Sequence, residues 1–161
     1  MSRLHSFIQR VQAQLACLDE SARLLKDVPG IVLELGLGNG RTYDHLREIF
    51  PGREIFVFDR EIASHPDSRP DSAHALLGDF RETIPAAAKR FPRQVALVHG
   101  DIGSGNKEAT LALARTVAPM LAPMLAPGAI VVSDQRLDVP GTAPIKLPQN
   151  LPEGRYYMVR A

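Results

Sequence analysis

With 161 residues, 45% of them hydrophobic and 23% charged, the chain has the length and balance of one ordinary globular domain that needs no disulfide staples. A net charge of +1, with fifteen arginines and four lysines scattered rather than gathered into a stripe, argues against nucleic acid or a membrane surface as the main partner. The single cysteine, Cys17, excludes an intrachain disulfide and a cysteine-built zinc set.

Residues 3–27 read as an amphipathic helix, because Leu4, Phe7, Ile8, Val11, Leu15, Leu18, Ala22 and Leu25 repeat at the three-four spacing of one face. Pro29-Gly30 stops it, and IVLELG at 31–36 reads as a strand. A helix is expected over 41–50, closed by Pro51-Gly52, and a second strand over 54–59, ending on Asp59. After a loop rich in Pro, Asp and Ser at 60–72 come a weak third strand (73–79) and a helix (81–91) with Pro85 in its first turn. A fourth strand covers 94–101. A long helix starts near 105 and should bend or end at Pro119 and Pro123. AIVVSD at 129–134 is a fifth strand, and RYYMVRA at 155–161 is a terminal strand expected to pair with 143–147.

Strands and helices alternate through the first 134 residues. That pattern gives a doubly wound α/β fold: a mostly parallel sheet with helices on both faces, closed by an antiparallel C-terminal strand. A single domain over 1–161 is expected, made of an N-terminal helix (1–29), a nucleotide-binding core (30–134) and a short strand region (135–161). No apolar run reaches the roughly 18 residues of a membrane span. MSRLHSFIQR has neither the apolar centre nor the cleavage site of a secretory signal, so a cytoplasmic location is expected.

In such sheets the ligand sits beyond the carboxyl ends of the strands, where strand order reverses. The first strand runs into Gly36-Leu37-Gly38-Asn39-Gly40, a turn whose backbone a ligand can touch, followed by a helix with free N–H groups. Asp59 lies 19 residues beyond Gly40, where an acid can accept hydrogen bonds from both ribose hydroxyls of an adenosine; a helix cap is the plainer alternative. The glycine spacing is not that of dinucleotide sites. The third glycine comes one residue early, and Arg41 stands where close helix–strand packing would need a glycine.

On these residues the sequence resembles the class I S-adenosylmethionine-dependent methyltransferases, whose fold is Rossmann-like, and within them a compact, single-domain bacterial group. Glu34, Gly36, Gly38 and Gly40 match the family's first motif, and Asp59 with Arg60 its ribose-binding strand end. Gly78-Asp79-Phe80 resembles the motif after the third strand. The resemblance implies that Asp79 bonds the adenine amino group and Phe80 packs on the ring; a cap for the helix starting near Arg81 is the plainer alternative for Asp79. LAPGAIVVSD at 125–134 resembles the lead into the fifth strand. The implied cofactor is S-adenosyl-L-methionine and the implied activity is methyl transfer. The short chain favours a small-molecule acceptor, a homo-oligomer staying open. The alternatives are a non-catalytic S-adenosylmethionine-binding module and an NAD(P)-dependent oxidoreductase.

His99 and Asp101 end the fourth strand, facing the substrate in the resembling family, and read equally well as site and as structure. As a site they make His99 the base that takes a proton from the acceptor and Asp101 its orienter. Tyr43 and Asp134 are expected on the substrate side. Asp134-Gln135 stands where catechol-type methyltransferases carry an Asp-Asn pair that binds a divalent metal. Gln135 and His99 both depart from that pattern, so no metal is expected.

Overall fold

Branched and apolar residues form β1 (Ile31–Leu35) at the centre of a seven-stranded sheet in the computed structural model, which describes residues 1–161. The other strands are β2 (Ile55–Asp59), β3 (Ala75–Leu77), β4 (Val95–Gly100), β5 (Leu125–Ser133), β6 (Ala143–Pro144) and β7 (Tyr157–Arg160). Their order across the sheet is β3-β2-β1-β4-β5-β7-β6. All pairs are parallel except those of β7, which runs antiparallel to both β5 and β6. Every residue of β4 is buried, as expected of a parallel strand covered on both faces. Strand order reverses between β1 and β4, so the ends of these two strands open the crevice where a ligand belongs.

Side chains alternate across the pleat and divide the core in two. Leu33, Leu35, Phe56, Phe58, Val98 and Val131 pack beneath α3 (Phe80–Arg90) and α4 (Lys107–Leu121). Val32, Val57, Leu97 and Val132 face α1 (Arg3–Leu24) and α2 (Arg41–Ile49). Glu34 follows Val32 by two residues and His99 follows Leu97 by two, so both polar side chains face α1 and α2 as well. The β1–β4 register sets Glu34 directly beside His99.

Several elements differ from their sequence expectations. In α1 the buried residues are Ala13, Gln14, Cys17, Leu18 and Ser21. Small side chains let the helix lie close on β5, whereas Leu4, Phe7, Ile8, Val11 and Leu15 stay 37–67% exposed. The apolar stripe read as one buried face is thus buried only toward its C-terminal end. Asp79 caps α3, which therefore starts at Phe80 and places Pro85 in its second turn rather than its first. Proline does not stop α4, which continues through Pro119 to Leu121 before a short 3-10 turn holding Pro123. No helix is long and apolar enough to cross a membrane.

Candidate functional site

The loop after β1 turns on glycines for two different reasons. A Cβ on Gly36 (φ +90°) would lie 2.4 Å from the Asp101 carbonyl oxygen, so this glycine lets the loop pass the end of β4. A Cβ on Gly38 (φ +52°) would meet nothing within 4 Å, because this glycine faces open space. Gly40 then caps α2 in the left-handed conformation. The loop is held from the next strand. Asp59 accepts the Leu37 and Gly38 N–H groups at 2.8 and 3.4 Å through one carboxylate oxygen, and its own neighbour's N–H, from Arg60, at 2.7 Å through the other.

Between this loop, α1 and the ends of β4 and β5 lies a cavity of about 580 Å³. Gly36, Gly38, Asp101 and Asp134, named from the sequence, all line it. Phe7, Arg10, Gln14, Asn39, Arg41 and Thr42 line it too and were not singled out. The α1 members carried no signal beyond helical periodicity. Asp59, Arg60, Asp79 and Phe80 lie off this cavity, at the ends of β2 and β3. Asp79 is forked by the Arg81 guanidinium at 2.9 and 2.7 Å and accepts the Arg81 N–H, which holds its carboxyl well below the usual carboxylate range.

Three expectations need correction. His99 does not face the cavity: its side chain is 0% exposed and both ring nitrogens are engaged. Nδ1 lies 2.5 Å from Glu34, and Nε2 lies 2.9 Å from the Tyr156 hydroxyl. No hydrogen bond joins it to Asp101, its expected orienter; Asp101 instead accepts from Arg10 at 3.3 Å and Gln14 at 3.4 Å. Glu34, matched to the family's first, cofactor-binding motif, is fully buried and takes the Thr42 hydroxyl as well as His99, so it braces the loop from beneath rather than facing the cavity. Tyr43 packs in the core under the Arg47 guanidinium, and His45, two residues on, lines the cavity in its place.

Burial opposes charge on His99, yet Glu34 beside it, with Asp101 and Asp134 beyond, raises its pKa above the ordinary value. Asp134 is also pushed up, first by burial and then by Asp101. It accepts the Ile102 N–H at 3.1 Å and the Gln135 amide at 3.2 Å, and has no cationic partner. No group of three or more His, Cys, Asp or Glu side chains is placed to hold a metal ion.

These features suit a nucleoside ligand without phosphates. Open space at Gly38 and the carboxylate of Asp59, with acceptor capacity left after its three N–H bonds, would take the ribose side. Asp79 and Phe80 lie farther along the same edge. The family model described as S-adenosyl-L-methionine methyltransferase matches residues 1–161. The chain belongs to this family. As an S-adenosylmethionine-dependent methyltransferase it uses S-adenosylmethionine as its cofactor, and the binding-module and oxidoreductase alternatives are set aside. The methyltransferase is 46% identical to the S-adenosyl-L-methionine methyl transferase from Silicibacter pomeroyi DSS-3, with 99% of this chain and 98% of that chain covered at a TM-score of 0.95. Human methyltransferase-like protein 13, solved in complex with SAH, shares the fold at a TM-score of 0.62 and 12% identity, covering 93% of this chain and 81% of that one. The MycE methyltransferase of the mycinamycin biosynthetic pathway, in complex with Mg and SAH, does so at 0.58 and 18%, covering 96% and 48%. No curated protein matches the methyltransferase.

Proposed function

We propose that the methyl acceptor is a small molecule held in the cavity beneath α1, and that Asp134 takes the proton its nucleophilic atom sheds. One observation carries this reading. Asp134 is a mostly buried carboxylate that lines the cavity, has no cation beside it, and is raised by burial and by Asp101. Bound S-adenosylmethionine supplies an electrophilic methyl group. The protein must place the nucleophile in line and receive a proton where the nucleophile carries one. A carboxylate with a raised pKa is a stronger base than an ordinary one, and Ile102 and Gln135 keep it aimed.

The neighbouring Asp101 is neutralised by Arg10 and held by Gln14, so it orients rather than accepts. Phe7, Val11 and Leu15 of α1 line the outer wall and favour an acceptor with an apolar body. The low net charge supports a small molecule over nucleic acid.

The test is a panel of phenols, amines and carboxylic acids, scored by formation of S-adenosylhomocysteine, with wild type and Asp134→Asn compared on the best acceptor. The variant is expected to bind S-adenosylhomocysteine normally and lose kcat about 100-fold or more. A fully active variant, or turnover confined to protein or nucleic acid substrates, would overturn the reading.

A further inference from the structure

Four side chains from distant parts of the chain form one buried line. Glu34 of β1 takes the Nδ1 side of His99 in β4, and the Tyr156 hydroxyl, just before β7, lies 2.9 Å from Nε2. The Gln14 amide of α1 donates to the Tyr156 oxygen at 2.7 Å and to Asp101 at 3.4 Å. Of these four, only Gln14 borders the cavity.

A phenol has one proton, and an amide has a donor end and an acceptor end. When the imidazole is neutral, Nδ1–H serves Glu34 and the Tyr156 hydroxyl donates to Nε2. Tyr156 then accepts from Gln14, whose NH2 turns toward Tyr156 and Asp101, and the Gln14 nitrogen lies 2.7 and 3.4 Å from these two oxygens, as that arrangement requires. When the ring is charged, Nε2 becomes a donor and the phenol proton must turn away from it. Its neighbour on that side is Gln14, which meets the proton only with its oxygen.

We propose that Tyr156 is a positioning residue: its hydroxyl decides which end of the Gln14 amide faces Asp101 and the cavity, and so how firmly the cofactor, which shares this cavity with the acceptor, is held under α1. Every element packed around His99 bears on this. Glu34 faces it from β1 with Thr42 of α2 behind, Asp101 and Asp134 stand at the ends of β4 and β5, and Arg10 of α1 pairs with Asp101. The inference rests on the ligand site described above, and on Gln14 being in reach of what binds there.

The test is calorimetric titration with S-adenosylhomocysteine between about pH 6 and about pH 9, on wild type, Tyr156→Phe, Gln14→Leu and the double variant, each first checked by thermal melting. Wild-type affinity should rise about three- to tenfold with pH as His99 loses its charge. Each single variant should be weaker than wild type by a similar factor at the upper pH and lack that pH-dependent rise. The double variant should be no weaker than either single one. A hydroxyl that merely supports the fold would lower affinity by the same factor at every pH. The same pH dependence in wild type and Tyr156→Phe, or additive losses in the double variant, overturns the proposal. Should Tyr156→Phe not fold, Gln14→Leu carries the pH comparison. Wild type that fails to bind at any pH overturns the cofactor site itself, an outcome distinct from unchanged variants.

Discussion

Glu34 and His99 sit side by side on adjacent parallel strands, 2.5 Å apart, with neither side chain exposed. Removing one member strands the other in the core. His99→Leu or Glu34→Leu is therefore expected to destabilise the protein by about 3–5 kcal/mol, far more than an ordinary surface change. Urea unfolding monitored by circular dichroism measures it, and a midpoint like that of wild type would show that the pair carries no such weight.

The same pair gives a pH dependence with a definite sign. The folded-state pKa of His99 lies above its ordinary value of 6.5. Its contribution to stability is therefore complete below that value and fades as pH rises through the folded-state pKa. Between about pH 6 and about pH 9 the urea midpoint of wild type should fall by more than that of His99→Gln. Parallel curves would mean that His99 does not titrate differently on folding.

Gly36 and Gly38 lie two residues apart, and one substitution at each separates their roles. At Gly36 a methyl group would run into the Asp101 carbonyl, so Gly36→Ala should cost stability and lower the melting temperature. At Gly38 nothing in the protein lies within 4 Å of the added carbon. Gly38→Ala should pay only the left-handed backbone term of about 1 kcal/mol. It should nonetheless weaken S-adenosylhomocysteine binding, since the methyl enters the ligand's space. A Gly38→Ala protein that melts lower yet binds normally would reverse the assignment.

Asp59 ties the glycine loop to β2 through the Leu37 and Gly38 N–H groups. Asp59→Ala loses this brace and the acid expected to hold ribose, so affinity for S-adenosylhomocysteine should fall at least about tenfold. Asp59→Asn presents one acceptor oxygen and should fall between the two. Isothermal titration of the three proteins gives the ranking.

Cys17 is fully buried in α1, and burial pushes its thiol up to about 12. A thiol so far from ionisation should not react with an aromatic disulfide reagent in the native protein, and should react at once in denaturant. Rapid labelling of native protein would show that α1 lifts from the sheet.

The placement of the glycine loop and its neighbours in the fold was legible because it is local. Alternate glycines behind Glu34, an acid ending β2 at Asp59 and another before α3 at Asp79 are spaced by strand and helix lengths that a sequence displays. His99 and Tyr43 were misplaced for the opposite reason. Position at a strand end says nothing about what covers a side chain: the Tyr156 hydroxyl and, beyond it, the Gln14 amide lie over His99 and separate it from the cavity, and the turn of α2 sends Tyr43 into the core. Tyr156 was passed over because a terminal strand was all its neighbourhood showed.

By itself the sequence determined the alternation of strands and helices, the acids that end β2 and precede α3, and a glycine spacing unlike that of dinucleotide sites, since each follows from short-range spacing and backbone need. Only the tertiary structure decided what the buried polar groups do. His99 meets a glutamate 65 residues away and a tyrosine 57 residues away, and Gln14 reaches across 142 residues to the same tyrosine. A buried polar group must find partners wherever the fold brings them, and that pairing is a property of strand order and pleat, which no stretch of chain records alone.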